Sequence, residues 1–133
     1  MKNKIIQNIQ SLKSQKKQHF LLAVSGGIDS MVMLDFFNKN SNLADISVCY
    51  VNHHYHSHSK KMGKLVSNYC ADNSIPYIES SINSSHIKNN IEAQFRKKRY
   101  FELKKVCKKI NADYVVTAHH ASDQIETILM KIL

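Results

Sequence analysis

The stretch that decides the fold is His19-Phe20-Leu21-Leu22-Ala23-Val24-Ser25-Gly26-Gly27-Ile28-Asp29-Ser30. Residues 19 to 24 form a short apolar run of the kind shown by a strand buried on both faces. Two glycines interrupt it, and from Ile28 to Asn38 the apolar residues recur at helical spacing. A buried strand that turns through glycine into a helix is the first half of a parallel βαβ unit.

The pattern repeats along the chain. Upstream, residues 1–18 read as a polar, partly helical lead-in, with Ile5, Ile6, Ile9 and Leu12 on one face. Downstream, Ile46–Val51 is a second β-branched and aromatic run. Lys60–Asn73 is helix-like, with Leu65, Val66, Tyr69 and Cys70 on one side. Pro76–Glu79 is a weak third strand, and Ser80–Lys88 is a polar loop. Asn89–Ile110 is the longest predicted helix, with Asn89 as its cap, Glu92 three residues on in a capping-box arrangement, and Ile91, Phe95, Leu103, Val106 and Ile110 at helical intervals. Asp113–Ala118 is the fourth strand. Ser122–Leu133 is predicted helical, with Ile125, Ile128, Leu129 and Ile132 on its apolar face. Strands alternating with helices specify an α/β fold, a parallel sheet covered on both faces as a three-layer sandwich. Crossovers should be right-handed, and ligands should bind beyond the carboxyl ends of the strands.

The 133 residues suffice for one domain with a hydrophobic core, and 43% hydrophobic against 22% charged residues is an ordinary globular balance. No apolar stretch approaches the roughly 20 residues of a membrane span. The basic start Met1-Lys2-Asn3-Lys4 lacks the apolar region of a signal peptide, which points to a cytoplasmic protein without membrane association. Cys49, Cys70 and Cys107 are scattered, as expected of reduced, buried thiols. The net charge is +9. Much of the excess falls in residues 1–18 and 59–110, giving a surface that either attracts polyanions or merely aids solubility.

Chemistry is expected where the first strand meets its helix. Gly26 and Gly27 let the backbone turn tightly and approach a phosphate. The helix offers unpaired N–H groups and a partial positive charge, and Ser25 and Ser30 add hydroxyls. Asp29 would repel phosphate alone but suits a Mg²⁺ that bridges to phosphate oxygens. The Gly-Lys-Ser/Thr ending of a Walker loop is missing. A plain strand-to-helix turn, with Gly for the bend and Asp or Ser as cap, is the simpler alternative.

Ser25-Gly26-Gly27-Ile28-Asp29-Ser30 is similar to the signature of the PP-loop ATP pyrophosphatases, enzymes that split ATP into AMP and pyrophosphate. Three further segments narrow the resemblance: Val51-Asn52-His53-His54; Asn90 to Tyr100 with Ala93, Arg96 and Arg99; and Thr117-Ala118-His119-His120-Ala121-Ser122-Asp123-Gln124-Ile125-Glu126-Thr127. In this order and spacing they resemble the tRNA(Ile)-lysidine synthetase family over nearly the whole chain. The resemblance implies an adenine nucleotide alpha hydrolase-like fold. It also implies a reaction: the wobble cytidine of tRNA(Ile) is adenylated at its carbon-2 oxygen, and the side-chain amine of lysine then displaces AMP. ATP and Mg²⁺ are the implied cofactors.

The same resemblance implies roles for residues. Ser25, Gly26, Gly27, Ile28, Asp29 and Ser30 would grip the phosphates, with Asn52 and His53 also against the nucleotide. Asp29 and Asp123 are candidate metal ligands. Arg96 and Arg99, three apart on a helix, can neutralise developing charge. His119 and His120 are candidates for base or phosphate contacts. Asp123 and Glu126, also three apart on the predicted helix, can hold the lysine ammonium, take its proton or help bind metal. Plainer readings stand beside these: a solvated face for Arg96 and Arg99, a cap for Asp123, a surface pair for Glu126. Tyr55 and His56 replace the family's usual Leu-Arg, and Ser122 stands where many members carry Asp. The alternate His54, His56 and His58 have no nearby Cys or carboxylate in sequence to complete a zinc site, so a polar loop over the nucleotide is expected.

Full-length members continue with more of the catalytic domain and with C-terminal domains that grip tRNA. Residues 1–133 are therefore expected to be a partial N-terminal domain, weak in ATP binding and poor in ligase activity alone. The apolar face of residues 125–133 is a candidate surface for homodimer formation. Competing readings are a cytidine thiolase, which would want paired cysteines, a small-molecule synthetase, and a non-catalytic ATP- or RNA-binding remnant.

Overall fold

A computed structural model describes residues 6, 7, 9, 17–54, 58–83, 87–121 and 124–131, with side chains from 119 onward left out. The elements follow in the order β1 (Gln18–Ala23), α1 (Ile28–Lys39), β2 (Ala44–Asn52), α2 (Ser59–Asp72), β3 (Tyr77–Ser81), α3 (Ile91–Lys109), β4 (Tyr114–Ala121) and β5 (Gln124–Lys131). One sheet holds the five strands in the order β3-β2-β1-β4-β5. The first four run parallel, and β5 is antiparallel to β4.

Period-2 alternation in β1 explains the layers. Phe20, Leu22 and Val24 face α1 and α2, where they pack with Leu34, Phe37 and Val66. Leu21 faces the other way, against Leu103, Val106 and Cys107 of α3. The strand is thus buried on both sides, which is why it reads as a continuous apolar run. Phe20 anchors the larger core by edge-on contacts with Phe37 (5.8 Å) and Tyr114 (5.7 Å). At the opposite end of β1, Asp113 locks the strand to β4. The His19 N–H donates to Asp113 Oδ2 at 2.8 Å, and the Asp113 N–H donates back to the His19 carbonyl at 2.8 Å.

The order of strands matters for function. The chain winds outward from β1 through β2 to β3, then returns through α3, on the other face, to add β4 beside β1. A topological switch point therefore lies between β1 and β4, where parallel α/β sheets open a crevice at their carboxyl edge.

The α/β three-layer architecture and the first four strands match the sequence expectation. Two local expectations are corrected. Asn89 does not cap α3. The N-cap is Asn90, in the left-handed region (φ 50°) and without a side-chain cap. The Gln94 side chain donates to the Asn89 carbonyl at 2.6 Å, which braces the preceding residue but leaves the first-turn N–H groups without a side-chain cap. The second correction concerns Ser122–Leu133. Gln124–Lys131 is a strand, paired with β4 from Tyr114↔Lys131 to Ala121↔Gln124. The backbone groups along the outer edge of β4 need partners, and Ile125, Thr127 and Ile128 are β-branched residues that suit a pleated strand. Glu126, expected on a helix, therefore lies on a strand, and Asp123 lies outside the described residues. In the lead-in, Ile9 is buried in the larger core with Ile6 against it. Ile5 and Leu12 lie outside the described residues.

Gly63 brings α2 close to β2. A Cβ there would stand 2.7 Å from Tyr50 Cε2 and 3.1 Å from Cδ2. Overpacking of this kind costs about 1–3 kcal/mol, whereas Ala in place of Gly returns about 1 kcal/mol of helix propensity. Gly63→Ala is expected to lower the urea-unfolding free energy by up to about 2 kcal/mol. An unchanged midpoint would show that α2 can shift freely.

Candidate functional site

The carboxyl ends of β1, β2 and β4 open into a cleft of about 300 Å³, lined by residues that include Ser25, Gly27, Ser30, Cys49, His53, Ser59, Met62, Arg99, Tyr100 and Thr117. It lies at the switch point.

The turn after β1 builds one wall. Gly26 sits at φ +88°, where side chains are strongly disfavoured, and a Cβ there would meet Met62 Cβ at 3.0 Å and its carbonyl oxygen at 3.3 Å. Gly26 is therefore required twice over. Gly27 is different: a Cβ there would touch only Ser25 Oγ, at 3.5 Å. Gly27 is the N-cap of α1 and supplies no side-chain hydrogen bond, so the first-turn N–H groups of α1 are left uncapped by any side chain.

The Ser30 hydroxyl pins this turn. It donates to the Gly27 carbonyl at 3.1 Å and accepts the Ser25 N–H at 3.1 Å. Its oxygen lies 3.2 Å from Ser25 Oγ. With its one proton committed, Ser30 accepts in that last contact, and both of its lone pairs are used. Ser30 is buried, and Ser25 is exposed at the mouth. Asp29 is half-buried in the first turn of α1.

β2 and α3 form the opposite wall. Asn52 is buried, and its Oδ1 accepts the His54 N–H at 2.9 Å. That bond holds His54 in the left-handed conformation (φ 57°). His53 stacks on Phe95, ring centres 4.9 Å apart, which ties the end of β2 to α3. The Arg99 guanidinium lies 6.0 Å from the Tyr100 ring centre and Arg96 lies 5.5 Å from it. Only Arg99 of the two reaches the cleft lining.

Of the residues singled out in the sequence, the cleft gathers Ser25, Gly27, Ser30, His53, His58, Arg99 and Thr117. Gly26 and Asn52 are buried beside it. Ile28, 82% exposed, and Asp29 sit in the same turn but do not line its wall. The backbone of His119 lies on β4 opposite Glu126 of β5. The side chains of His119, His120 and Glu126, and all of Asp123, fall outside the description, as do Tyr55 and His56. Sequence reasoning missed Ser59 and Met62 at the start of α2. The available signal was topological: the turn after β2 must also emerge at the carboxyl edge.

Among the described residues, no group of three His, Cys, Asp or Glu side chains gathers as a metal cage. Mg²⁺ does not need one, because one or two carboxylates plus substrate phosphates suffice. Asp29, a carboxylate in the first turn beside uncapped N–H groups, fits such a partial donor set.

All three cysteines are free and buried. Burial, with the Glu102 charge adding to it, pushes the Cys49 thiol up to about 12, and burial pushes Cys70 to about 11. Cys49 thus reaches the cleft lining as a neutral thiol. In the folded protein at pH 8, Cys49 is expected to resist alkylation by iodoacetamide, whereas urea-unfolded chain should react at all three cysteines. Rapid single-site labelling of Cys49 in the folded state would contradict this.

A model of the PP-loop domain family matches residues 1–133. The chain is 39% identical over 111 residues to a tRNA(Ile)-lysidine synthase of Mycoplasmopsis pulmonis, covering 84% of this chain and 37% of the relative. It is 39% identical over 114 residues to a tRNA(Ile)-lysidine synthase of Mesoplasma florum, covering 84% of this chain and 28% of that one. The chain therefore spans well under half the length of these curated relatives. Among solved structures, the U34-tRNA thiolase NcsA of Methanococcus maripaludis superposes with a TM-score of 0.70 at 15% identity, covering 91% of this chain and 45% of that chain. The NH3-dependent NAD synthetase of Campylobacter jejuni gives 0.61 at 19%, covering 86% and 53%. These two likenesses concern the fold.

Proposed function

Since this chain belongs to the PP-loop domain family, we propose that it binds ATP in the switch-point cleft and forms the nucleotide-activating part of an enzyme that joins lysine to the wobble cytidine of tRNA(Ile). One observation carries the reading: Ser25, Gly27 and Ser30 share a single cleft with His53, Arg99 and Thr117. The similarity to tRNA(Ile)-lysidine synthases over most of the chain supports the choice of substrate.

The chemistry has two steps. The carbon-2 oxygen of cytidine attacks the α-phosphorus of ATP, and the bond to the β-phosphate breaks, releasing pyrophosphate. The lysine amine then attacks carbon 2 and expels AMP. In the first step, negative charge grows on the leaving pyrophosphate and must be met where it forms. The uncapped N–H groups of Ile28, Asp29 and Ser30 meet it from the turn, and Arg99 meets it from α3. Ser30, its hydrogen-bonding capacity spent inside the turn, holds the loop open for the phosphates. Asp29 would hold Mg²⁺ with Asp123, and when bound this ion neutralises phosphate charge. Asn52 and His53 form the nucleotide wall, braced by Phe95. Arg96, exposed beside Tyr100, adds to the positive field that attracts polyanions. His119, Asp123 and Glu126 are assigned to the β4 side, to position the phosphate and to receive the lysine ammonium and its proton.

The buried cysteines favour a ligase over a thiolase. An iron–sulfur cluster or persulfide needs accessible thiolates. Here Cys70 packs in one core, and Cys49 and Cys107 in the other.

Titration calorimetry with Mg-ATP tests the site. The parent chain is expected to bind weakly. Asp29→Ala combined with Ser30→Ala should reduce affinity by at least about tenfold, or ~1.4 kcal/mol. Equal affinity in the double variant would rule the cleft out. Lysine- and tRNA(Ile)-dependent pyrophosphate release, measured on a protein that carries this domain with the remaining length of its relatives, tests the reaction. Binding without release would identify a remnant.

A further inference from the structure

We propose that a second groove, along the outer side of α3, is a docking track for single-stranded RNA. It lies between α3 and the segment that leaves β3, has a volume of about 620 Å³, and is lined by Asn83, Lys97, Lys98, Phe101, Glu102 and Lys105 among others. None of these residues belongs to the ATP cleft; the choice of RNA as partner rests on the reading above, and the surface is one that reading does not use.

Three observations converge on a nucleic-acid strand. The first is Phe101, 67% exposed in the middle of a charged helix. Neither core needs it, and α3 already buries Leu103, Val106 and Cys107. The second is spacing. Lys97, Phe101 and Lys105 are four residues apart, so they form one stripe along the helix, a cation on either side of an aromatic face. An ammonium–ring–ammonium row about 12 Å long matches a chain in which bases alternate with phosphates. The third is charge. Lys98 donates to the Asn83 carbonyl at 3.1 Å and keeps its charge in the groove. Glu102, the acidic residue of the lining, is partly matched, its buried Oε2 accepting no hydrogen bond. Its Oε1 accepts the Ser80 hydroxyl at 3.1 Å, and Lys105 lies 3.3 Å from Oε2. A phosphate entering the groove therefore meets lysines whose charge exceeds that of the one carboxylate.

Both sites are walled by α3. Arg99 and Tyr100 turn toward the cleft, while Lys97 and Phe101 turn toward the groove. A strand seated on Phe101 lies along the helix that also walls the ATP site.

The test uses the 133-residue chain and a fluorescein-labelled ten-nucleotide oligouridine, read by anisotropy, with Mg-ATP titrated in parallel. Phe101→Ala is expected to weaken oligouridine binding about 5- to 100-fold, the usual effect of removing a base-stacking ring, and Phe101→Trp to restore it. Lys97→Ala with Lys98→Ala should flatten the dependence of log affinity on log salt by about 0.7 per lost phosphate contact. ATP affinity should be unchanged in all three. The Asp29→Ala, Ser30→Ala variant should keep its RNA binding whether or not it loses ATP, which separates this proposal from the ATP site. The proposal is overturned if oligouridine does not bind, if Phe101→Ala binds it like the parent, or if an inorganic polyphosphate competes equally well in the parent and in Phe101→Ala. Phe101 lies outside the core, so its truncation should leave the circular dichroism spectrum unaltered.

Discussion

At the end of β1 the backbone passes Met62 so closely that a side chain would crowd it, and it does so with a positive φ at Gly26, which side chains rarely adopt. Every feature of the cleft depends on that passage. It lets α1 begin directly at the sheet edge, with its uncapped first turn beside the cleft that Gly27 and Ser30 line. A side chain at Gly26 would push the turn away from α2 and unseat the Ser25–Ser30 contacts that set its shape. The neighbouring Gly27 is under no such constraint, although the two glycines look equivalent in sequence. The difference comes from α2, which arrives from the next βα unit.

The turn is held firmly on the protein side and left open on the ligand side. Ser30 spends its whole hydrogen-bonding capacity inside the loop, whereas the Ser25 hydroxyl reaches the mouth. Behind the loop, Tyr50 donates its phenolic hydrogen to the Ser59 carbonyl and packs against Gly63. That pair fixes the start of α2, and hence Met62, against which Gly26 rests. The site is thus supported by contacts between elements adjacent in the fold and distant in sequence, as a preorganised anion cradle requires.

Much of this architecture was legible in the sequence because β1 is buried on both faces and must be apolar throughout, and because the glycine turn punctuates it. The α3 start was legible only to within two residues. The capping-box letters at Asn89 and Glu92 were present, but the left-handed Asn90 takes the cap position. Gln124–Lys131 was misread because Ile125, Ile128 and Leu129 satisfy a helical period as well as they satisfy a strand. What decides between the two is the open edge of β4, a tertiary property absent from any local window. Leu65 shows the same limit: it shares the apolar period of α2, yet half of it stays exposed. The roles of Ser59 and Met62 had no local signature.

Charge is segregated in a way that bears on mechanism. The cleft contains many dipoles and few full charges: uncapped amides, serine hydroxyls, a threonine, and one arginine among its described lining residues. Lys97, Lys98 and Lys105 line instead the separate groove on the outer side of α3. A site that relied on lysines to hold a triphosphate would bind any polyanion, RNA included, and would obstruct itself. Amides at a helix start act over one turn and favour a compact phosphate group. Exposed ammonium groups act over about a Debye length and favour a long polyanion. One helix can therefore border both ligands while each finds the kind of positive field that suits it, and a basic domain can present a large polyanion to a small-nucleotide cleft without the two competing.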